Sequence, residues 1–145
     1  MNNLISGELR RYNHLFAETE ATYHEISLKL GLSDSALKIL YTICNEGDRC
    51  LLSQICRLSG LSKQTVNSAI RKLETEGILY LEKAGSKSKM VCLTEPGRDL
   101  AGRTALRLLN TENAIFSSWP QQDMEKYLEL TEKFLTALRD GAAKL

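Results

Sequence analysis

Little in these 145 residues invites a catalytic or membrane role. The chain has no Gly-rich phosphate loop, no His-Glu-x-x-His and no Gly-x-Ser-x-Gly. Its only two histidines, His14 and His24, have no obvious nucleophile beside them, so no enzyme activity is expected. No apolar run approaches the roughly 18 residues that a transmembrane helix needs. Glu8, Arg10 and Arg11 break up any signal-peptide core, and the expectation is a cytoplasmic protein that touches no membrane. Cys44, Cys50, Cys56 and Cys92 form no Cys-x-x-Cys pair and have no histidine cluster for company, which argues against zinc or any other metal or cofactor. With two prolines and no low-complexity tract, long linkers and disorder are not expected, and the length suits a single domain. A net charge of +1 excludes a non-specific polycationic coat for nucleic acid.

The small net charge hides an uneven distribution. From Arg49 to Lys89 there are eight bases against three acids, a net +5, which leaves −4 for the rest. A basic centre between acidic arms points to one electropositive face. Within that centre, Gly60 separates two apolar-periodic segments, Leu51–Ser59 and Leu61–Gly77, as in a helix-turn-helix, with small Cys56 expected where the helices cross. Ser62 is placed to cap the second helix. Val66, Ile70 and Leu73 fall on one face at 100° per residue and form its core side. The opposite face carries Gln64, Asn67, Ser68, Arg71 and Thr75, with Lys63 and Lys72 flanking and Thr65 in the first turn. No acid occurs between Ser62 and Leu73, although a merely solvated helix usually mixes in Glu to pair with its bases. Amides and guanidinium suit base edges in the major groove, while hydroxyls and lysines suit phosphates. Ser62, Lys63, Gln64, Thr65, Asn67, Ser68, Arg71 and Lys72 are therefore candidate DNA contacts; the alternative is a helical hairpin whose polar face is only wet.

Two short apolar-rich runs, 78–83 and 89–93, flank Ala84-Gly85-Ser86-Lys87-Ser88 and read as a β-hairpin. A hairpin after a recognition helix is a wing, and Lys87 and Lys89 at its tip are placed to meet backbone. The bland alternative is an edge hairpin that uses Lys against aggregation.

The arms read as long helices. Leu4 or Ile5, Leu9, Tyr12, Phe16, Tyr23, Ile26 and Leu30 mark one apolar face of a first helix ending at Gly31. At about 25 residues it would extend roughly 38 Å, too long for a small wing domain to cover. A second helix, opening near Ser33 or Asp34 and closing at Gly47, has Leu37, Leu40, Ile43 and Cys44 as its inner face. Thr94 caps a third, with Pro96 in its first turn, running through Leu100, Leu108, Leu109, Ile115 and Phe116. Pro120 starts the last, striped by Met124, Tyr127, Thr131, Phe134, Leu135 and Leu138. Long amphipathic helices without a matching core call for a symmetric partner, so a homodimer is expected.

This order of elements resembles the MarR family of bacterial transcription regulators over nearly the whole chain. The sharpest match is Leu61-Ser62-Lys63-Gln64-Thr65-Val66-Asn67 leading to Arg71-Lys72-Leu73-Glu74-x-x-Gly77-Ile78, joined by Val91-x-Leu93-Thr94-x-x-Gly97-x-x-Leu100. The resemblance implies a mainly α fold with a small β-hairpin wing. Residues 1–31 and 95–145 would supply dimerisation helices, and 33–94 a winged helix-turn-helix on a palindromic double-stranded operator. It also implies control, most often of a repressor, by a small phenolic or lipophilic ligand or by thiol oxidation. Many members carry a wing Asp that orients an Arg toward the minor groove; residues 84–89 here contain neither, so that Arg role is not carried over.

Tyr12, His14, Phe16 and Tyr41 are candidates for an effector pocket, or equally for dimer core. Cys50, after the Gly47 turn and beside Arg49, is the redox candidate if its thiolate is exposed. Otherwise all four cysteines are small packing residues of a reducing compartment. Cys44 and Cys56 are assigned to packing. The competing function is a winged-helix module that binds protein without reading DNA.

Overall fold

A computed structural model describes residues 5–145, so Leu4 lies outside the described residues. Helix α1 (Gly7–Leu30) opens where the Leu9 amide donates to Ser6 Oγ (3.0 Å) and closes at Gly31, whose φ of 73° is the left-handed conformation that glycine adopts without steric cost. Helix α2 (Asp34–Asn45) opens in the same way, with the Ala36 amide donating to Ser33 Oγ. Then come β1 (Arg49–Leu51), α3 (Leu52–Ser59), α4 (Lys63–Thr75), β2 (Leu79–Lys83) and β3 (Lys89–Leu93). The chain ends with α5 (Glu95–Arg103), α6 (Ala105–Ser118) and α7 (Gln121–Ala142). The described residues cluster into two compact units, one ending at Arg107 and the other spanning Leu108–Leu145.

In the first unit, α2 is the central element. Leu37, Ile39, Leu40, Thr42 and Ile43 are all buried, so it is enclosed on more than the single face expected of it, and Cys44 is only half-buried. It touches α1, α3, α4, α5 and β1. Ile55 from α3, Val66, Ile70 and Leu73 from α4, and Leu79, Val91 and Leu93 from the strands complete the core. Each such side chain contributes about 1.5–3 kcal/mol by leaving water. Small Ser59, rather than Cys56, is the side chain sealed at the end of α3 just before the turn; Cys56 is half-buried.

The wing belongs to a three-stranded antiparallel sheet of order β1-β3-β2. The hairpin was legible; β1, which adds Arg49↔Cys92 and Cys50↔Val91 to the ladder, was not. On β2 and β3 the register pairs Leu79 with Leu93, Leu81 with Val91 and Lys83 with Lys89. Alternation sends Leu79, Val91, Leu93 and Cys50 inward and leaves Arg49, Tyr80 and Glu82 on the outer face. At the base of the sheet the Thr94 amide donates to the Ile78 carbonyl (3.0 Å), and the Thr94 hydroxyl approaches the Gly77 carbonyl (2.5 Å) while capping the Gly97 amide.

One expected helix is two. The run from Thr94 to Phe116 breaks at Thr104, with φ −125° and ψ −88°. Its hydroxyl donates to the Leu100 carbonyl at 2.7 Å, the acceptor that its own amide would use in a continuous helix, and the amide turns to Ala101 (3.3 Å). In the second unit, Trp119 packs edge to face on Phe116 and Tyr127 around the α6–α7 corner, with the three ring centroids 5.3–6.0 Å apart.

Candidate nucleic-acid interface

Local chemistry makes α4 a stiff, outward-facing platform. Gly60, at φ 71°, turns the chain out of α3, and the Leu61 amide donates to Ser59 Oγ (3.2 Å). The Thr65 amide then donates to Ser62 Oγ (3.1 Å) while the Ser62 hydroxyl donates to Thr65 Oγ1 (2.8 Å). Ser62 and Thr65 thus spend most of their capacity on the cap. Val66, Ile70 and Leu73 fix the inner face.

On the outer face, Gln64, Ser68, Arg71 and Thr75 are exposed and Asn67 is half-buried. Helical spacing puts the other four within roughly 60° of Gln64, with Lys63 and Lys72 about 80–100° off on either side. Among the described residues, no side-chain hydrogen bond or ion pair engages Lys63, Gln64, Asn67, Ser68, Arg71 or Lys72. The opening turn contains no acid, so its free amides and the helix dipole add positive potential beside Lys63. Donor-rich, acid-free and unpaired, this surface can bond base edges and phosphates at once.

Two of the nearby acids are occupied elsewhere, while Glu74 and Glu76 follow the stripe at the C-terminal end of α4. Glu82 approaches Arg49 at 3.9 Å across the outer face of the sheet, and Asp48 pairs with Arg98 at 3.5 Å. Lys87 and Lys89 are exposed at the wing without ion-pair partners among the described residues. The structure thus places the wing lysines and the α4 stripe in one compact unit.

Two other expectations fare differently. Tyr12 and Phe16 do come together on α1, their rings stacked with centroids 6.0 Å apart. His14, about 200° around the helix from Tyr12, is exposed on another side and does not converge with them. Tyr41 is half-buried on α2. The redox expectation for Cys50 is corrected: strand β1 turns its side chain inward opposite Val91, leaving it 2% exposed. Burial, then the charge of Glu46, push its thiol up against the opposing pull of Arg57. Its Sγ donates to Gln54 Oε1 (3.6 Å), which also accepts the Leu51 amide. A buried, protonated thiol is the reverse of a peroxide sensor. Arg49, adjacent in sequence, lies on the opposite face of the strand.

Residues 30–87, which span this interface, match the model of the MarR family. No curated protein matches the chain. Among solved structures, a MarR family regulator of Neisseria meningitidis superimposes with a TM-score of 0.83 at 15% identity, covering 96% of this chain and 99% of its own. Sco3205 of Streptomyces coelicolor, a MarR family transcriptional regulator in complex with DNA, gives 0.70 at 14% identity over 94% and 92%. BpsR of Bordetella bronchiseptica, whose DNA binding is regulated by 6-hydroxynicotinic acid, gives 0.62 at 18% over 86% and 98%. At these identities the likeness is one of fold. No helix among the described residues is long and apolar enough to cross a membrane.

Proposed function

Residues 30–87 make this chain a MarR-family protein, and from that premise we propose that it regulates transcription as a homodimer bound to a palindromic operator. One observation carries the reading: the capped helix α4 presents Gln64, Asn67, Ser68 and Arg71 in a stripe free of acids and of internal partners. Arg71 near its centre reads a guanine edge, Gln64 and Asn67 read adenine, and Lys63, Lys72, Lys87 and Lys89 hold phosphates. Residues 33–94 form the DNA-binding part, and 1–31 with 95–145 dimerise. The apolar residues left at the surface of α1 and of α7 support that division. The effector is a small phenolic or lipophilic molecule, in keeping with the 6-hydroxynicotinic acid of the Bordetella relative, and its release of DNA makes the protein a repressor.

The test is a titration against duplexes enriched from a random pool. Arg71→Ala should lose about 1–3 kcal/mol on the enriched sequence and relax preference at one position per half-site. An unchanged ratio of enriched to random affinity would show that α4 is not the reader.

A further inference from the structure

The hairpin register places Lys83 directly opposite Lys89. The hydrogen bonds that frame the ladder define what kind of pair this is. Below, the Thr94 amide donates to Ile78; above, the Ala84 amide donates to Ser88 (3.1 Å). Counting from either end along the alternation of an antiparallel ladder, Lys83 and Lys89 form a non-hydrogen-bonded pair, the kind whose Cα atoms are only about 4.5 Å apart and whose side chains lie closest. Both share parity with Leu79, Leu81, Val91 and Leu93, so they continue the inner face of the hairpin beyond the core, on the side where β2 meets α4.

Like charges directly opposite each other weaken a strand pair. Nothing among the described residues relieves this one: Glu82, the only acid of the hairpin, lies on the outer face beside Arg49. Both lysines are exposed, and Lys87 adds a third charge at the tip. Such crowding is relieved by an anion that both ammonium groups can share.

We infer that Lys83 and Lys89 form a two-pronged clamp on a single DNA phosphate, so that the wing holds the duplex without reading it. The inference rests on the DNA-reading function proposed above and names the part of the operator left unread. Sequence under a wing is sensed most sharply by the planar fork of an Arg in a narrow groove or by an apolar wedge between base steps. Residues 83–89 offer neither: they are Lys, Ala, Gly, Ser, Lys, Ser and Lys. Lysine is a flexible, strongly hydrated point charge suited to one phosphate oxygen or another. The base pairs beneath the wing are therefore free to vary.

Two measurements on the full chain test this. The slope of log K against log salt on an enriched duplex should fall by about two in the double variant K83A/K89A, one for each wing of the dimer, because two lysines on one phosphate release the counterion of one. Affinities for enriched and random duplexes should fall by the same factor. A fall of about four means separate phosphates, and no change means no contact; either overturns the clamp. Exchanging A·T for G·C under the wing should leave affinity within about twofold, and a tenfold loss would overturn the unread wing. The thermal midpoint of K83A/K89A should equal or exceed wild type, since a like-charge pair is removed, so weaker binding is not misfolding. If the wild type prefers no sequence at all, the proposed function itself fails, a result distinct from a failure of the clamp.

Discussion

Gly97 sits against the backbone of Ile78 so closely that a Cβ built on it would land on the Ile78 carbonyl oxygen and lie 2.9 Å from the carbonyl carbon. That carbonyl is already accepting the Thr94 amide, and a strand end cannot swing away as a flexible side chain could. The first turn of α5 is therefore pressed onto the segment leaving α4. The two sequence motifs that carry the family resemblance are the two sides of this single joint.

Gly97→Ala should cost about 1–3 kcal/mol or more through overpacking and lower the thermal midpoint by several degrees. Gly102, on the same helix with open space around its Cα, is the control. Gly102→Ala should stabilise by about 0.5–1 kcal/mol. Equal effects of the two in thermal melts would mean that the joint is not tight.

Acid should weaken the link between α1 and α2. His24 Nδ1 lies 2.8 and 3.0 Å from the two oxygens of Asp34, and the Ser27 hydroxyl, followed by the His24 ring, holds the Asp34 carboxyl below its ordinary value. Folding thus favours the ionised form. Its contribution is complete above the range where an unfolded Asp titrates and disappears as pH falls through the folded value. Asp34→Asn should flatten the decline of the thermal midpoint below about pH 5. The effect should shrink with added salt, because both side chains are well exposed. An Asn variant with an undiminished acid limb would exclude this role.

The cysteines should react in order of exposure. Half-buried Cys44 and Cys56 should be alkylated by iodoacetamide under native conditions before buried Cys50 and Cys92, all four being free thiols. Burial raises the Cys44, Cys50 and Cys92 thiols alike, with Asp48, Glu46 and Glu82 adding to the respective effects, so exposure sets the order. Peptide mapping that found Cys50 labelled first would restore it as a redox candidate.

Association should follow from the uncovered apolar residues. Phe16 of α1 and Leu138 of α7 are 52% and 56% exposed in the single chain. Sedimentation at micromolar concentration should give twice the 16.3 kDa of one chain. Phe16→Glu and Leu138→Glu should each shift the protein toward monomer by burying an unpaired charge. A wild-type protein that sediments as a single chain would remove the dimer.

The legible parts of the fold were those with local causes. Ser33, Ser62 and Thr94 announce their helices because a hydroxyl before an apolar-periodic run satisfies free amides, and Gly31 and Gly60 mark the ends because only glycine takes the left-handed conformation freely. The α4 stripe was legible from helical period and charge alone. What was missed depends on distant partners. Strand β1 is three residues long and exists because β3 has an edge to pair with. That pairing, invisible locally, buries Cys50 and so overturned its expected exposure. The break at Thr104 depends on a hydroxyl competing for one carbonyl, which period counting does not weigh. Trp119 bears no periodic signature and joins its ring cluster only once α6 and α7 meet at their corner.

The inward parity shared by Leu79, Leu81, Val91 and Leu93 also governs how this wing can diverge. One residue inserted within either strand would exchange its faces, bringing lysine into the core and leucine to water. Residues 85–87, above the last Ala84–Ser88 bond, belong to no pair. Descendants of this protein can lengthen, shorten or recharge that tip almost without penalty to folding. The reach and grip of the wing are thereby open to drift, while the stability of the fold is inherited through residues that the drifting ones never touch.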